Sequence, residues 1–410
     1  MQIAISFANF TQFLQDYNIF ADNTKSQKRK CPNANRSSFF SLLVWVAVLV
    51  DASTGFRKLD RLEDETERIN GPLLSIIVAA RNEEENIESS IISQLKQNYK
   101  NIEWILVNDR STDKTGKIMD KLQETDKRIK VIHIRELPEG WLGKNYALYT
   151  GSQDAAGDLL LFTDADVQFQ QQAIGKAISY FTNNKLDHLT AAPNLYGKNF
   201  FLQSFIAFFM FGFSYYKRPW MANRPRSKTG MGIGAFNMIA KKAYHAFGTH
   251  KAIKMRPDDD LMLGKKMKEM GHHQRMVTAM ELLKVEWYGS LQEALIGLEK
   301  NTFAGLHYRI SMVLFAIAGV FLSQVLPFFT LFSQDHIILS AANILLLAIV
   351  YTFIIKRMTT FSPLLFLLFP ITALVFIYSI IRASFLTFKR GGIIWRGTKY
   401  RLSELREKRS

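Results

Sequence analysis

The 410-residue sequence has one cysteine, Cys31. No intrachain disulfide can form, and metal sites built on cysteines are excluded. The working parts of the chain have no need of an oxidising compartment. Histidine supplies no metal set either. His272 and His273 are adjacent in sequence, and His245 and His250 stand five apart; both pairs read as structural or exposed. Acid is the scarcer charge: 36 Asp and Glu stand against 52 Lys and Arg, a formal net charge of +16. Such a balance suits nucleic acid, an anionic membrane surface or phosphorylated substrates. Aromatics make up 13% of the chain, with 32 Phe, and many lie in long apolar runs near the C-terminus. That distribution favours membrane over nucleic acid. The glycines of Gly230-Met231-Gly232-Ile233-Gly234 do not have the G-x-G-x-x-G spacing and read either as a tight bend near a ligand or as a packing loop. A cleaved signal peptide is not expected, because the basic stretch 25–30 comes late and no clear small-residue cleavage site follows.

What is present divides the chain into four regions. Residues 1–70 form an N-terminal segment; its first twenty residues carry no strong signal. Residues 38–50 are apolar but short for a span. They read as an interfacial anchor, a marginal span with Asp51 near its end, or a signal-anchor. Residues 72–305 alternate strand-like and helix-like segments. Strands are expected at 73–80, 102–108, 130–135, 159–163, 188–195 and 234–239, and helices at 83–97 (opened by Asn82), 114–123, 144–155 and 259–270. Helices of this length between strands imply a mostly parallel sheet with right-handed crossovers, an α/β fold. Residues 306–385 hold three apolar runs, 310–332, 336–355 and 361–381, each long enough for about 30 Å of hydrocarbon. Residues 386–410 are a basic tail, expected on the cytoplasmic side. If the α/β region is cytoplasmic too, the crossings between it and the tail must be even, yet the runs number three. The last, with Pro363 and Pro370, is the candidate for a re-entrant or interfacial segment. A further apolar stretch, 200–216, reads as a helix on the membrane surface or as a buried helix.

The chemistry concentrates at strand ends. Asp164-Ala165-Asp166 follows the apolar run 158–163. Residues two apart in extended chain point the same way, so both carboxylates converge just past the strand. Two such charges repel unless a divalent cation holds them. Ligands of open α/β sheets bind outside the carboxyl ends of strands, so this pair points to a metal that holds a diphosphate. Two more clusters directly follow strand ends, Ala80-Arg81-Asn82-Glu83-Glu84-Glu85 and Asn108-Asp109-Arg110-Ser111-Thr112-Asp113, and a third, Trp141-Leu142-Gly143-Lys144-Asn145, opens a helix one short loop later. Together they offer acceptors for a base and ribose, a cation for phosphate and a metal site.

Residues 73–166 resemble the nucleotide-sugar half of the family 2 glycosyltransferases, in SIIVAARNEEENI, ILVNDRSTDKT, GWLGKNYAL and FTDADV. The resemblance covers roughly residues 72–300. Gly391-Gly392-Ile393-Ile394-Trp395-Arg396-Gly397-Thr398-Lys399-Tyr400 is similar to the post-membrane W-R-G-x-x-Y segment of bacterial members that glycosylate carotenoid, hopanoid or ceramide-like lipids. The resemblance implies a GT-A fold, a Rossmann-like mostly parallel sheet, followed by C-terminal transmembrane helices. It implies that Ala80, Arg81 and Glu83 line the nucleoside pocket and that Asp109 accepts a hydrogen bond from a uracil ring nitrogen. Lys144 would face the base or the diphosphate. Asp164 would contact ribose or metal, and Asp166 would hold Mn²⁺ or Mg²⁺ on the diphosphate. In Asp258-Asp259-Asp260-Leu261-Met262-Leu263, the pair Asp259 and Asp260 with Leu263 has the family's spacing, so Asp260 is expected as general base, with Asp259 beside it. An acidic helix start is also ordinary cap and dipole chemistry.

Many relatives carry Q/R-x-x-R-W before the membrane region. This chain has Glu299-Lys300-Asn301-Thr302-Phe303 instead, which argues against processive synthesis. The expectation is an inverting hexosyltransferase at the cytoplasmic face of the inner membrane, multi-pass, moving sugar from a UDP-sugar to a lipid hydroxyl, with no nucleic acid partner. The rivals are a processive or oligosaccharide-extending synthase and a nucleotide-binding scaffold or transporter.

Overall fold

The computed structural model describes residues 32–306, 308–395 and 398–402. The expectations for residues 1–31, including the basic stretch 25–30, and for most of the tail beyond Leu402 lie outside the described residues. So do Arg396 and Gly397 of the W-R-G-x-x-Y segment. The first element is a long helix, α1 (Pro32–Phe56), and it corrects the expectation of a run ending at Val50. Its stretch Ser38–Phe56 is long and apolar enough to cross a membrane. Asp51 does not stop it, because Arg218 takes the carboxylate at 2.5 and 2.7 Å and the Trp220 indole donates to it at 3.2 Å.

A nine-stranded sheet follows, in the order β1–β9–β7–β8–β5–β2–β3–β4 with β6 joined to β9. Its strands are β1 (Asp60–Arg61), β2 (Leu74–Ala80), β3 (Ile102–Asp109), β4 (Ile129–Ile134), β5 (Leu159–Asp164), β6 (Val167–Phe169), β7 (His188–Tyr196), β8 (Asn237–Ala240) and β9 (Gln274–Glu286). The connecting helices are α2 (Ile87–Leu95), α3 (Thr115–Thr125), α4 (Gly143–Asp154) and α5 (Ala173–Asn183). β2 pairs in parallel with β3 and β5, and β3 with β4. β2, β3 and β5 are buried on both faces, which is why they read as continuous apolar runs; β4, at the edge of the sheet, is partly exposed. Ile76, Trp104 and Leu106 pack into one core, and Ile77, Ile105 and Leu160 into the other. The sheet is mixed, not purely parallel: β8 lies antiparallel between β5 and β7, and β6 antiparallel to β9.

Helix α2 starts four residues later than expected. Asn82 has a left-handed φ of 54°, and its side chain accepts from the Thr112 amide at 2.8 Å. It therefore ties two strand-end loops together and caps no helix.

The apolar stretch after β7 is α6 (Phe200–Lys217), capped by the Asn199 side chain at the Leu202 amide. Phe205, Ile206, Phe208 and Phe211 are buried among other helices. Phe200 and Phe201 stay exposed, so α6 is half covered by protein. Short α7 (Lys241–Ala246) and the acidic-start helix α8 (Asp259–Glu269) precede β9. Beyond it come α9 (Leu291–Gly305), α10 (Ile310–Val320), a π-turn (Phe321–Val325), α11 (Leu326–Thr330), α12 (Ile337–Met358), a 3₁₀ turn (Pro363–Leu368) and α13 (Phe369–Arg390), then a small hairpin of β10 (Gly392–Trp395) and β11 (Thr398–Arg401). Three stretches here are also long and apolar enough to span: Ile310–Thr330, Ile337–Met358 and Pro363–Arg390. α1 and α12 pack side by side, with Phe56 against Phe353 at one end and the Asn343 amide on the Ser38 carbonyl at the other.

Candidate active site

The carboxyl ends of β2, β3 and β5 place Ala80, Asp109 and Asp164 along one edge. Arg81 and Glu83 follow β2 in a loop held by the Glu83 amide on Thr115 Oγ1 at 2.8 Å. Asp109 is buried. Arg110 donates to its Oδ1 at 2.8 Å, and Arg81 stands 3.9 Å from its Oδ2. Gly143, first residue of α4, is required by this carboxylate: a Cβ there would sit 2.2 Å from Asp109 Oδ2. The next residue, Lys144, reaches Asp164 Oδ1 at 2.7 Å and Asp259 Oδ2 at 3.8 Å. Burial opposes its charge, but Asp164, Asp259 and Asp260 together hold the ammonium well above the ordinary lysine range. Burial, with Asp164 and Glu83 adding their charges, pushes the Asp166 carboxyl up to about 7.

The three acids before and in α8 have separate surroundings. Asp258 is clamped by Arg256, which donates Nε and Nη2 at 2.9 and 2.7 Å. Asp259 is buried beside Lys144. Asp260 accepts from the Gly234 amide at 2.8 Å and from its neighbour Leu261 at 2.7 Å. Burial raises its carboxyl above the ordinary range, against the pull of Lys144 and the Leu261 amide. The glycine loop is therefore a close-packed support for this helix. A Cβ on Gly232 would come within 1.9 Å of the Asp260 carbonyl, and one on Gly234 within 2.5 Å of Asp164 Oδ2. Gly234 joins the two acid clusters, since its carbonyl also accepts from the Asp164 amide at 3.1 Å.

One cavity of about 1700 Å³ gathers all of these groups. Ala80, Arg81, Glu83, Asp109, Lys144, Asp164, Asp166 and Asp258 to Asp260 all line it. It continues past them between α1, α6 and α10, where Trp45, Phe208 and Phe315 are among its walls. Sequence reasoning missed several lining residues. Trp287 and Tyr288 follow the end of β9, and Tyr400 comes from β11. Burial, with Asp166 close by, pushes the Tyr288 phenol up to about 12. An aromatic pair just past a strand end was the available signal. The basic residues from Lys217 to Lys228 take varied roles: Arg218 pairs with Asp51, and Lys217 lies over the Tyr216 ring. Of the histidines, His250 is buried beneath Tyr244, and His273 stays near the surface.

The model of the family described as "Glycosyl transferase family 2" matches residues 75–248. These residues form a family 2 glycosyltransferase domain. The match includes the Asp109 and Asp164 strand ends and stops ahead of Asp258. An uncharacterized glycosyltransferase of Haemophilus influenzae is 38% identical over 122 residues, covering 30% of this chain; the chain spans only 36% of that relative's length. The 4,4'-diaponeurosporenoate glycosyltransferase of Staphylococcus aureus is 24% identical over 384 residues, covering 89% of this chain and 99% of that protein. Among solved structures, the mannosyltransferase PcManGT from Pyrobaculum calidifontis, in complex with GDP-Man and Mn²⁺, superposes with a TM-score of 0.51 at 15% identity over 86% of this chain and 98% of that one. That likeness confirms the GT-A-like fold of the glycosyltransferase domain and its mixed sheet.

Among the described residues, no group of three or more His, Asp and Glu stands in a ready-made metal geometry. The donor set of the glycosyltransferase domain nevertheless fits a divalent cation. Asp166 is crowded by Asp164 and Glu83 and pushed towards neutrality, a strain that a bound cation relieves by restoring the ionised form.

Proposed function

We propose that this chain is an inverting hexosyltransferase that takes sugar from a nucleoside diphosphate sugar, UDP-linked, and places it on a hydroxyl of a lipid acceptor. The observation that carries this reading is the single cavity that joins Asp109, Asp164 and Asp166 to Asp260 and then runs on between apolar helices. Asp109 would accept from the ring N–H of the base, with Arg81 and Arg110 holding its carboxylate in place. Guanine offers a ring N–H as well, so the GDP-Man of the structural neighbour is a second donor to test. Asp164 and Asp166 would hold Mn²⁺ or Mg²⁺, which supplies Lewis-acid neutralisation of the departing diphosphate. Asp260 would take the proton of the acceptor hydroxyl as its oxygen attacks the anomeric carbon. One displacement there inverts the configuration. Lys144 lies between the two acid clusters, stabilises their ionised forms and brings positive charge to the side where diphosphate develops charge.

The apolar stretch of the cavity would admit the lipid from the membrane. Gly212 and Gly319 border it, and a Cβ on either would meet nothing within 4 Å. The last apolar run is anchored at both ends on the α/β side. Thr360 donates to Asn194 of β7 at 2.9 Å, and Arg382 and Arg390 both pair with Glu299 of α9. We therefore assign crossings to α1, α10 with α11, and α12, and let residues 363–390 enter and leave on one side. That leaves an even number between the catalytic region and the tail, and both on the cytoplasmic side of the inner membrane.

The test is transfer in detergent with Mn²⁺, using labelled UDP-glucose, UDP-galactose and GDP-mannose and a bacterial lipid extract. Label should move into the organic phase as a single sugar per lipid, and Gly319→Phe should abolish transfer while donor binding persists. Label accumulating as a water-soluble polymer would establish the synthase reading instead, and donor binding without release of nucleotide would establish the scaffold.

A further inference from the structure

Inside the apolar part of the cavity lies a polar cluster that the transfer chemistry does not use. Ser41 and Trp45 of α1, Tyr215 of α6 and Ser323 and Gln324 of the π-turn all line the cavity. Gln324 is 2% exposed and Ser41 is 4% exposed. The Gln324 amide donates to the Tyr215 hydroxyl at 2.9 Å. The Trp45 indole donates to the Ser323 carbonyl at 3.2 Å, and Ser41 sits one helical turn before Trp45 on the same face. Two buried atoms of this cluster have no hydrogen-bond partner: Gln324 Oε1 and Ser41 Oγ. Polar side chains in a membrane-length helix are costly, and they mark ligand or ion paths when they face an interior space. Buried polar atoms without partners call for an explanation. The backbone supports a functional one: Gln324 is displayed by a single π-turn that interrupts the stretch Ile310–Thr330, and such turns concentrate at functional sites.

We propose that Gln324, with Ser41, forms a hydroxyl-binding subsite for the lipid portion of the acceptor, remote from the hydroxyl that receives the sugar. The proposal rests on the lipid-acceptor reading above and adds to it the chemistry of the acceptor's far part. A hydroxyl both donates and accepts, so it satisfies the amide in either orientation and can also pair with the serine. A plain hydrocarbon tail satisfies neither atom. The acceptor favoured by this subsite thus carries a second polar group along its chain. Tyr215 is a positioning residue, fixing the amide by occupying its other end; Trp45 holds the π-turn through Ser323.

The experiment compares primary alkanols with α,ω-alkanediols of 12, 16 and 20 carbons as acceptors for the purified full chain with Mn²⁺ and the sugar nucleotide that serves best. At the length that reaches the subsite, the diol should exceed the alkanol about tenfold in kcat/KM, beyond its twofold statistical advantage, as expected for one well-formed hydrogen bond. Gln324→Leu should remove that preference and leave the alkanol rate unchanged, and Ser41→Ala should reduce it. A preference that persists in Gln324→Leu, or equal use of diols and alkanols by the unmodified protein, overturns the subsite while leaving the lipid reading standing. No transfer to either acceptor class, nor to the lipid extract, overturns the lipid reading and the subsite with it. A Gln324→Leu protein that does not fold is replaced by Gln324→Met, whose thioether keeps the length of the side chain without its amide.

Discussion

Lys144 Nζ lies 2.7 Å from Asp164 Oδ1 and so ties the second residue of α4 to the last residue of β5. The same ammonium is 3.8 Å from Asp259. It therefore couples the acids that would serve the donor to those that would serve the acceptor.

That coupling sets a pH prediction. A base must be ionised, so the rate should rise with pH through the carboxyl of Asp260. Burial has already moved that carboxyl above its ordinary range, and Lys144 pulls it back down. Lys144→Met removes the pull, so the acid limb of the kcat profile should move to higher pH. Loss of charge stabilisation at the diphosphate should also lower kcat by about 10² to 10³. Initial rates from pH 5 to 9 decide it, and an acid limb that stays in place or moves to lower pH refutes the coupling.

The three neighbouring acids should separate on mutation. Asp260→Asn keeps the shape, and the amide oxygen can still accept from Gly234, but it removes the proposed base. Transfer should drop by at least about 10³ with the thermal midpoint little changed. Asp258→Asn breaks the two-bond clamp with Arg256, so it should lower stability more than it lowers kcat. The reverse pattern, with Asp258 essential and Asp260 dispensable, would move the base to Asp258.

Asp166 gives a metal prediction with a definite sign. Its folded pKa, about 7, is raised above the ordinary value of about 3.9. The folded protein without metal is therefore penalised above pH 7, where the buried carboxyl must ionise, and relieved as pH falls towards 4. Asp166→Asn should raise the metal-free thermal midpoint at pH 8 and have little effect at pH 4. Mn²⁺ should stabilise the unmodified protein at pH 8 and fail to stabilise the variant. Equal Mn²⁺ stabilisation of both would place the ion elsewhere.

How much of this was readable in the sequence depended on burial. The strands β2, β3 and β5 are covered on both faces, so their apolar runs marked both their positions and the polar clusters at their ends. β9 carries charged residues at irregular spacing, Arg275, Glu281, Lys284 and Glu286, so it shows no clear strand period, and nothing in its composition says that it pairs with β1, β6 and β7. The run 38–50 is short as an apolar stretch, and the helix continues through Asp51 to Phe56 because that acid has a partner, Arg218, far along the chain. Gln324 was a polar residue inside an apolar run, visible in the sequence. Its meaning came only from the cavity it faces.

Two buried histidines carry the opposite acid dependence to Asp166. Burial lowers His188 to about 4 and His250 to about 3, both below the unfolded value of about 6.5. Their contribution to stability is complete above about pH 6.5 and is lost as pH falls towards those values, because only the unfolded chain then takes up the protons. His188 holds Asn237 at 2.5 Å and Gln274 at 2.8 Å, and Asn237 reaches the Asp260 carbonyl at 3.4 Å. His188→Gln should therefore unfold more easily at pH 7.5, yet lose less stability than the unmodified protein between pH 6.5 and 4.5. Thermal melts in detergent followed by tryptophan fluorescence measure the difference. Parallel curves for the two proteins would mean that folding does not lower the pKa of His188.

The assigned path through the membrane makes the loop between α11 and α12 and the turn after α12 emerge on opposite faces. The Thr330 hydroxyl meets Ser340 across the first, at the end where Asn343 meets Ser38. Thr360 meets Asn194 of the sheet at the second. In a Cys31→Ser background, Ser333→Cys should react with an impermeant maleimide added to intact cells. Thr360→Cys should react only after the cells are opened. If residues 363–390 crossed fully instead, the α/β region and the hairpin of β10 and β11 would lie on opposite sides of the membrane. That arrangement would separate Tyr400 from the cavity it lines with Asp260, and Arg390 from Glu299. A cysteine at Leu402, next to β11, should therefore be protected in intact cells, as Thr360→Cys is, and labelling of Leu402→Cys from outside would overturn the assigned path.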